Sequence, residues 1–198
     1  DPEKSMIFAQ RALELANKTE NETESAFAQT TKGMLYEAND DFTLALNCYL
    51  EALNIYLSLE SDEDLSRIYY KTGLLYKTLG NYEKSIEHCL EGLKISEKLG
   101  DKSGIALIYR VMGSVYKYKE DYDKSLFYYY NGLKINEEIN NTSGIANSNN
   151  NIGVVYFIIK DFDKALDCYR KSLAINLADS NQNAIAINYG NIGNIYLE

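Results

Sequence analysis

Residues 113–135 read GSVYKYKEDYDKSLFYYYNGLKI, and the same frame returns three more times. It appears as GMLYEANDDFTLALNCYLEALNI over 33–55, GLLYKTLGNYEKSIEHCLEGLKI over 73–95 and GVVYFIIKDFDKALDCYRKSLAI over 153–175. The step is 40 residues. Glycine recurs at Gly33, Gly73, Gly113, Gly153 and Gly193, and tyrosine three positions later at Tyr36, Tyr76, Tyr116, Tyr156 and Tyr196. An aromatic follows at Phe42, Tyr82, Tyr122 and Phe162, then a small residue at Ala45, Ser85, Ser125 and Ala165. A second small column holds Ala52, Gly92, Gly132 and Ser172, followed by the leucines 53, 93, 133 and 173 and the isoleucines 55, 95, 135 and 175. So many columns in phase mark an internal repeat.

The columns have a physical reading. Glycine inside a helix costs about 1 kcal/mol relative to alanine, so five in-phase glycines predict a close approach of another helix. The small residues at Ala45, Ala52 and their equivalents serve the same need. Leucine and isoleucine spaced by three, four and seven form the apolar stripe of a packed helix. Two short helices cannot bury such a stripe alone, whereas stacked neighbours can. The map that follows is all-α, with about ten antiparallel helices and no strands. Residues 1–20 hold a half repeat, because Ser5, Met6, Ala12, Leu13 and Leu15 match the columns of Ala45, Leu46, Ala52, Leu53 and Ile55. Full hairpins are expected over 22–58, 62–98, 102–138 and 142–178, and a lone first helix over 182–198. Turns such as Leu99-Gly100-Asp101 should end helices, with glycine supplying a left-handed cap. The chain begins Asp-Pro and starts and stops within a repeat, so it is expected to be a piece of a longer protein. Its two half repeats should expose apolar surface that the longer chain covers or that a homodimer buries.

The order of columns resembles the tetratricopeptide repeat, with Gly113, Tyr116, Ser125, Tyr129 and Gly132 at that family's spacing and Tyr109 where the family often has tryptophan. The period departs from the common unit of about 34 residues and is similar to a longer variant found in bacterial signalling proteins. The resemblance implies a right-handed α–α superhelix whose first helices line a concave groove for a protein or peptide. It further implies a sensor or interaction region of a signalling protein. The alternatives are a structural spacer or dimerisation platform, and a peptide-sensing regulator joined to a catalytic domain elsewhere.

Composition narrows the function. Twenty Lys and Arg against 29 Asp and Glu give a formal charge of −9. Nucleic-acid binding asks for a basic face, so neither a nucleic acid nor an anionic membrane is an expected partner. No apolar run approaches the ~20 residues of a membrane span. Cys48, Cys89 and Cys168 are expected as buried free thiols, which lean toward a reducing compartment. The only histidine, His88, shares its column with Cys48, Tyr128 and Cys168 and reads as a structural or solvated residue. Asp62, Glu63 and Asp64 fall at a helix start, where negative charge is favourable. No catalytic, cofactor or metal motif is present in the sequence, and an enzyme is not expected.

Function can be written only in columns that vary. Carried over by position, the groove columns are Phe27, Arg67, Leu107, Asn147, Ile187; Thr30, Tyr70, Arg110, Asn150, Gly190; Met34, Leu74, Ser114, Val154, Asn194; and Glu37, Lys77, Lys117, Phe157, Leu197. Such columns are either unconstrained or tuned to different parts of a ligand. Arg67, Lys77, Arg110 and Lys117 would make a basic strip for an acidic peptide or a terminal carboxylate, with Tyr70 and Tyr118 as flat anchors. Otherwise they are ordinary surface charge. Asparagines crowd the next first helices at Asn147, Asn149, Asn150, Asn151, Asn188, Asn191 and Asn194. Their amides can both donate to and accept from an extended peptide backbone, or they reflect an Asn-rich composition. The chaperone-carboxylate clamp known in the family is not expected. Its nearest match, Arg110, Ser114, Asn151, Ile187 and Asn191, lacks most of the basic residues.

Overall fold

The computed structural model describes residues 2–198, all but the ends of which are helix or tight turn. Ten helices follow in order: α1 (Pro2–Lys18), α2 (Glu22–Ala38), α3 (Phe42–Ser58), α4 (Asp62–Thr78), α5 (Tyr82–Leu99), α6 (Lys102–Tyr118), α7 (Tyr122–Glu138), α8 (Thr142–Ile158), α9 (Phe162–Ala178) and α10 (Gln182–Ile195). No strand occurs among the described residues. The hairpins expected from the columns are the pairs α2–α3, α4–α5, α6–α7 and α8–α9.

A 20-residue rhythm of punctuation sets the helix ends. Asn21, Asn81, Asp121, Asn141, Asp161 and Asn181 each cap a helix, their side-chain oxygen accepting the backbone N–H three residues on. These bonds satisfy donors that an α-helix leaves open at its start. The residue before each turn's end takes a positive φ. Gly80 (77°) and Gly100 (69°) do so without a side chain, but Glu20, Asp40, Glu60, Glu120, Asn140, Lys160 and Ser180 do so with one, at 52–63°. The glycine cap read from Gly100 is therefore present but not general. The left-handed conformation costs a residue with a Cβ roughly 1–2 kcal/mol. Glu60→Gly is expected to raise the unfolding free energy by up to about 1 kcal/mol, as measured by urea denaturation.

The chain divides into two compact units, one through Gly104 and one from Ile105 onward. In the first, Ala26, Ala45, Leu46, Tyr49, Ala52, Leu53, Leu65, Ile68 and Leu75 form one core drawn from α2, α3 and α4. In the second, Tyr129, Ile152, Val155 and Cys168 pack with Tyr122, Leu126, Leu133 and Tyr156 partly covering them.

The glycine column works as the sequence predicts at four of its five positions, while a Cβ on Gly193 would meet nothing within 4 Å. A Cβ on Gly33 would lie 2.5 Å from the Tyr49 ring; on Gly113, 2.6 Å from Tyr129; and on Gly153, 2.7 Å from Tyr169. At Gly73 the neighbour is instead the Cys89 sulfur, 2.8 Å away. The small column does more than make room. The buried hydroxyls of Ser85 and Ser125 donate to the Gly73 and Gly113 carbonyls at 2.7 and 2.8 Å. Each stitches the second helix of a hairpin to the backbone of the first. All three cysteines are free and buried. Burial pushes the Cys89 and Cys168 thiols up to about 12 and 11, and Cys48 up as well, so all stay protonated and unreactive at neutral pH.

Candidate functional site

The basic residues of the first unit are held by their own surroundings. Arg67 on α4 is exposed and its guanidinium pairs with Asp64, one turn earlier, at 3.3 Å. Tyr70 and Lys77 lie half-buried on the same helix. Two acids of the first turn of α4 are engaged: the Ser61 hydroxyl donates to Asp64 at 2.7 Å, and Lys98 pairs with Asp62. The stronger ionic contact of this unit was not legible in the sequence. Lys71 of α4 reaches Glu37 of α2 at 3.0 Å, and the same Glu37 oxygen accepts the Tyr49 hydroxyl at 2.8 Å. Glu37 had a place in the groove columns, but its partner stands 34 positions away and only the packing of α2 beside α4 joins them. Two shallow depressions of about 410 and 470 Å³ lie along α1 and α2, away from Arg67 and Lys77.

In the second unit, Arg110, Ser114, Lys117 and Tyr118 share one face of α6, at helical spacings of three, four and seven or eight. The Tyr129 hydroxyl of α7 reaches this face. Burial pushes it up to about 12, while a hydrogen bond from Ser114 and the charge of Arg110 pull the other way. Lys117 is half-buried, and its burial holds the ammonium below the usual lysine range. Its ammonium sits 4.9 Å from the centre of the Tyr118 ring, which is itself 54 % exposed. No carboxylate lies within 4.0 Å of Lys117 among the described residues.

The asparagines divide into two groups. Asn188 is 1 % exposed and joins Ser172, Asn176 and Asn150 in a buried network, with bonds of 3.0, 2.8 and 3.3 Å. Asn149 is also buried and donates to the Ile145 carbonyl at 2.9 Å. These two are packing residues. Asn147 is exposed, and Asn150, Asn151 and Asn191 are half-buried. Asn191 donates to Asn150 at 2.9 Å, which joins α10 to α8. The Asn150 side-chain oxygen thus accepts from both Asn188 and Asn191. The sequence placed Asn191 in register with Asn151, one repeat earlier; the amide it meets is that of Asn150.

His88 lies within a hairpin, where its Nδ1 shares a 2.7 Å hydrogen bond with the Thr72 hydroxyl. Its ring packs 5.6 Å from Tyr69 and 4.9 Å from Tyr76. Burial lowers its affinity for a proton below the ordinary value. No cluster of three or more His, Cys, Asp or Glu among the described residues is arranged to hold a metal ion.

The ten helices, paired as hairpins, define a helical-hairpin repeat protein. Family models described as tetratricopeptide repeat match residues 28–58, 64–138 and 146–176. The chain belongs to the tetratricopeptide-repeat family. No protein of curated function matches it by sequence. Among solved structures it is similar to BtubC from P. vanneervenii (23 % identity over 99 % of this chain and 83 % of that one, TM-score 0.81). It is also similar to a signal-transduction ATPase with a tetratricopeptide repeat sensor from Pyrococcus horikoshii (19 %, 98 % and 32 %, TM-score 0.80). A third is the Rap conjugation gene regulator of plasmid pLS20, in complex with the Phr* peptide (14 %, 92 % and 56 %, TM-score 0.73). The chain spans about a third of the second of these and just over half of the third. No described helix is long and apolar enough to cross a membrane.

Proposed function

We propose that this chain is a binding scaffold, not an enzyme, and that the polar face of α6 takes an acidic protein segment or peptide. The observation that carries this reading is Lys117. A half-buried ammonium without a carboxylate partner is costly unless a charge from outside completes it, and an acidic chain offers many carboxylates that could have done so. Arg110 adds a second, forked donor on the same helix face, and the exposed Tyr118 ring adds a flat anchor. Asn147, Asn150, Asn151 and Asn191 supply amides of the same unit for the backbone of an extended segment. Arg67, Tyr70 and Lys77 extend the reading to α4 with less support, since Arg67 already has Asp64. The pLS20 regulator, crystallised with a peptide, and the repeat sensor of the Pyrococcus ATPase make a sensor or interaction region of a larger signalling protein the natural setting.

The test is binding of a fluorescein-labelled hexaglutamate peptide, followed by anisotropy at low salt. Arg110→Glu with Lys117→Glu is expected to weaken binding by at least about tenfold, since hydrogen bonds to charged groups contribute roughly 1.5–3 kcal/mol each. The melting temperature should stay nearly unchanged. Binding that survives the double change would remove α6 from the site. Activity of the isolated chain toward a phosphorylated protein would overturn the non-catalytic reading.

A second reading, a platform for self-association, is favoured by one specific observation: large aromatic side chains stand exposed on both the first and the last helix.

A further inference from the structure

Lys32 breaks the pattern of its column. Thr72, Met112 and Ile152, at the same position of the following repeats, are 0 %, 1 % and 0 % exposed. Each is sealed among helices, and Thr72 meets His88 there. A lysine in this place puts an ammonium at the seam, and Lys32 is half-buried. Its charge reaches the buried Cys48 of α3, where it opposes the upward push of burial on the thiol. Lys32 and Arg11 both line the depression of about 410 Å³ between α1 and α2, whose apolar wall is Met6, Ile7 and Tyr36. No carboxylate stands within 4.0 Å of either cation among the described residues. The one acid of the groove, Glu14, instead accepts from the Gln10 amide at 3.0 Å.

We propose that this groove binds a small amphipathic carboxylate, its head between Arg11 and Lys32 and its apolar body along Met6, Ile7 and Tyr36. A half-buried ammonium is costly until an opposite charge joins it, and the arginine fork matches a carboxylate. Two cations and one acid leave a single net positive charge, which a monoanion neutralises. The volume falls within the range of small-ligand sites, roughly 300–1,000 Å³. The pair of cations is particular to this groove: the same two columns hold Glu51 with Thr72 between α3 and α4, and Asn131 with Ile152 between α7 and α8. Its openness does not depend on what precedes α1. The positions of Ile7, Gln10, Arg11 and Glu14 return as Asn47, Leu50, Glu51 and Asn54 on α3, and as Asp167, Arg170, Lys171 and Ala174 on α9. All are exposed except Leu50, which is half-buried, although α2 precedes α3 and α8 precedes α9. A helix packed in front of α1 in the same way leaves the groove open. The site shares no residue with the α6 face and stands independently of the peptide reading.

The test is a titration of the ¹⁵N-labelled chain with sodium octanoate. The amides of 7–14 and 32–36 should shift together and saturate with a dissociation constant on the order of 1 mM. Lys32→Met should weaken binding at least about tenfold. It should fold as the parent does, because Met112 fills the same column in the third hairpin. Arg11→Gln, at an exposed position without a partner, should weaken binding in the same direction with an unchanged melting temperature. 1-Octanol, with the same chain and no charge, should bind at least about tenfold more weakly than octanoate. Octanol binding as tightly as octanoate would overturn the proposal, as would both variants binding like the parent or shifts that spare α1 and α2. Octyl phosphate binding more tightly than octanoate would overturn the assignment to a carboxylate.

Discussion

Tyr49→Ala is expected to lower the unfolding free energy by about 3–5 kcal/mol, the range for removing a large aromatic from a core. Tyr49 is completely buried, and its ring fills the groove left by Gly33. Its hydroxyl also ends in the Glu37–Lys71 pair that joins α2 to α4. Truncation therefore opens a cavity against a helix backbone that cannot easily collapse and removes one of the donors to a half-buried carboxylate. Tyr49→Phe separates the two effects. It keeps the ring and should cost about 1 kcal/mol, the net worth of one hydrogen bond. Tyr189→Ala, on an exposed ring, should change stability by no more than about 0.5 kcal/mol in dilute protein. Urea unfolding followed by circular dichroism measures all three. A loss below about 1 kcal/mol for Tyr49→Ala would mean that the glycine–tyrosine contact does not anchor the hairpin.

Gly153→Ala and Gly193→Ala should move stability in opposite directions, although the two glycines hold the same column. Alanine in place of glycine favours a helix by about 1 kcal/mol. At Gly153 the new methyl would lie 2.7 Å from the ring of Tyr169, which is 2 % exposed and has no room to retreat. Overpacking of this kind costs about 1–3 kcal/mol, so a net loss of about 1–2 kcal/mol is expected. At Gly193 nothing lies within 4 Å, and the change should stabilise dilute protein by up to about 1 kcal/mol. Equal effects at the two sites would show that the column is set by helix propensity and not by the approach of a second helix.

The repeat made most of the fold legible before any coordinates. The step of 40 placed the helix pairs, and the five glycines predicted close helix contacts, four of which have a neighbour within 3 Å of the missing Cβ. The sequence could not show that Gly73 faces a sulfur where its equivalents face rings. Nor could it show that Ser85 and Ser125 bond to glycine carbonyls while Ala45 and Ala165 only make room. The reason is that a column specifies size and polarity, and the neighbour completes the contact.

The candidate site was less legible. Arg67, Lys77, Arg110 and Lys117 look alike in sequence, since each is a basic residue in a variable column. Their surroundings separate them: Arg67 is bound to Asp64 in the open, while Lys117 is half-buried beside Tyr118. The asparagines divide for the same reason. Asn188 and Asn191 sit three positions apart on α10, yet one is sealed into a network with Ser172 and Asn176 and the other meets Asn150 at the half-open edge between α8 and α10.

The sequence by itself determined the periodic features of this protein: helix lengths, the apolar stripe and the glycine notches. Each depends on neighbours along the chain or on a demand that returns once per repeat, and a demand met five times leaves a visible column. The tertiary structure decided what happens only once. The Glu37–Lys71–Tyr49 cluster and the lysine on α6 without a carboxylate each depend on which helices stand beside a given residue. Charge, burial and exposure are set by those neighbours, and a single occurrence leaves no pattern in a linear sequence.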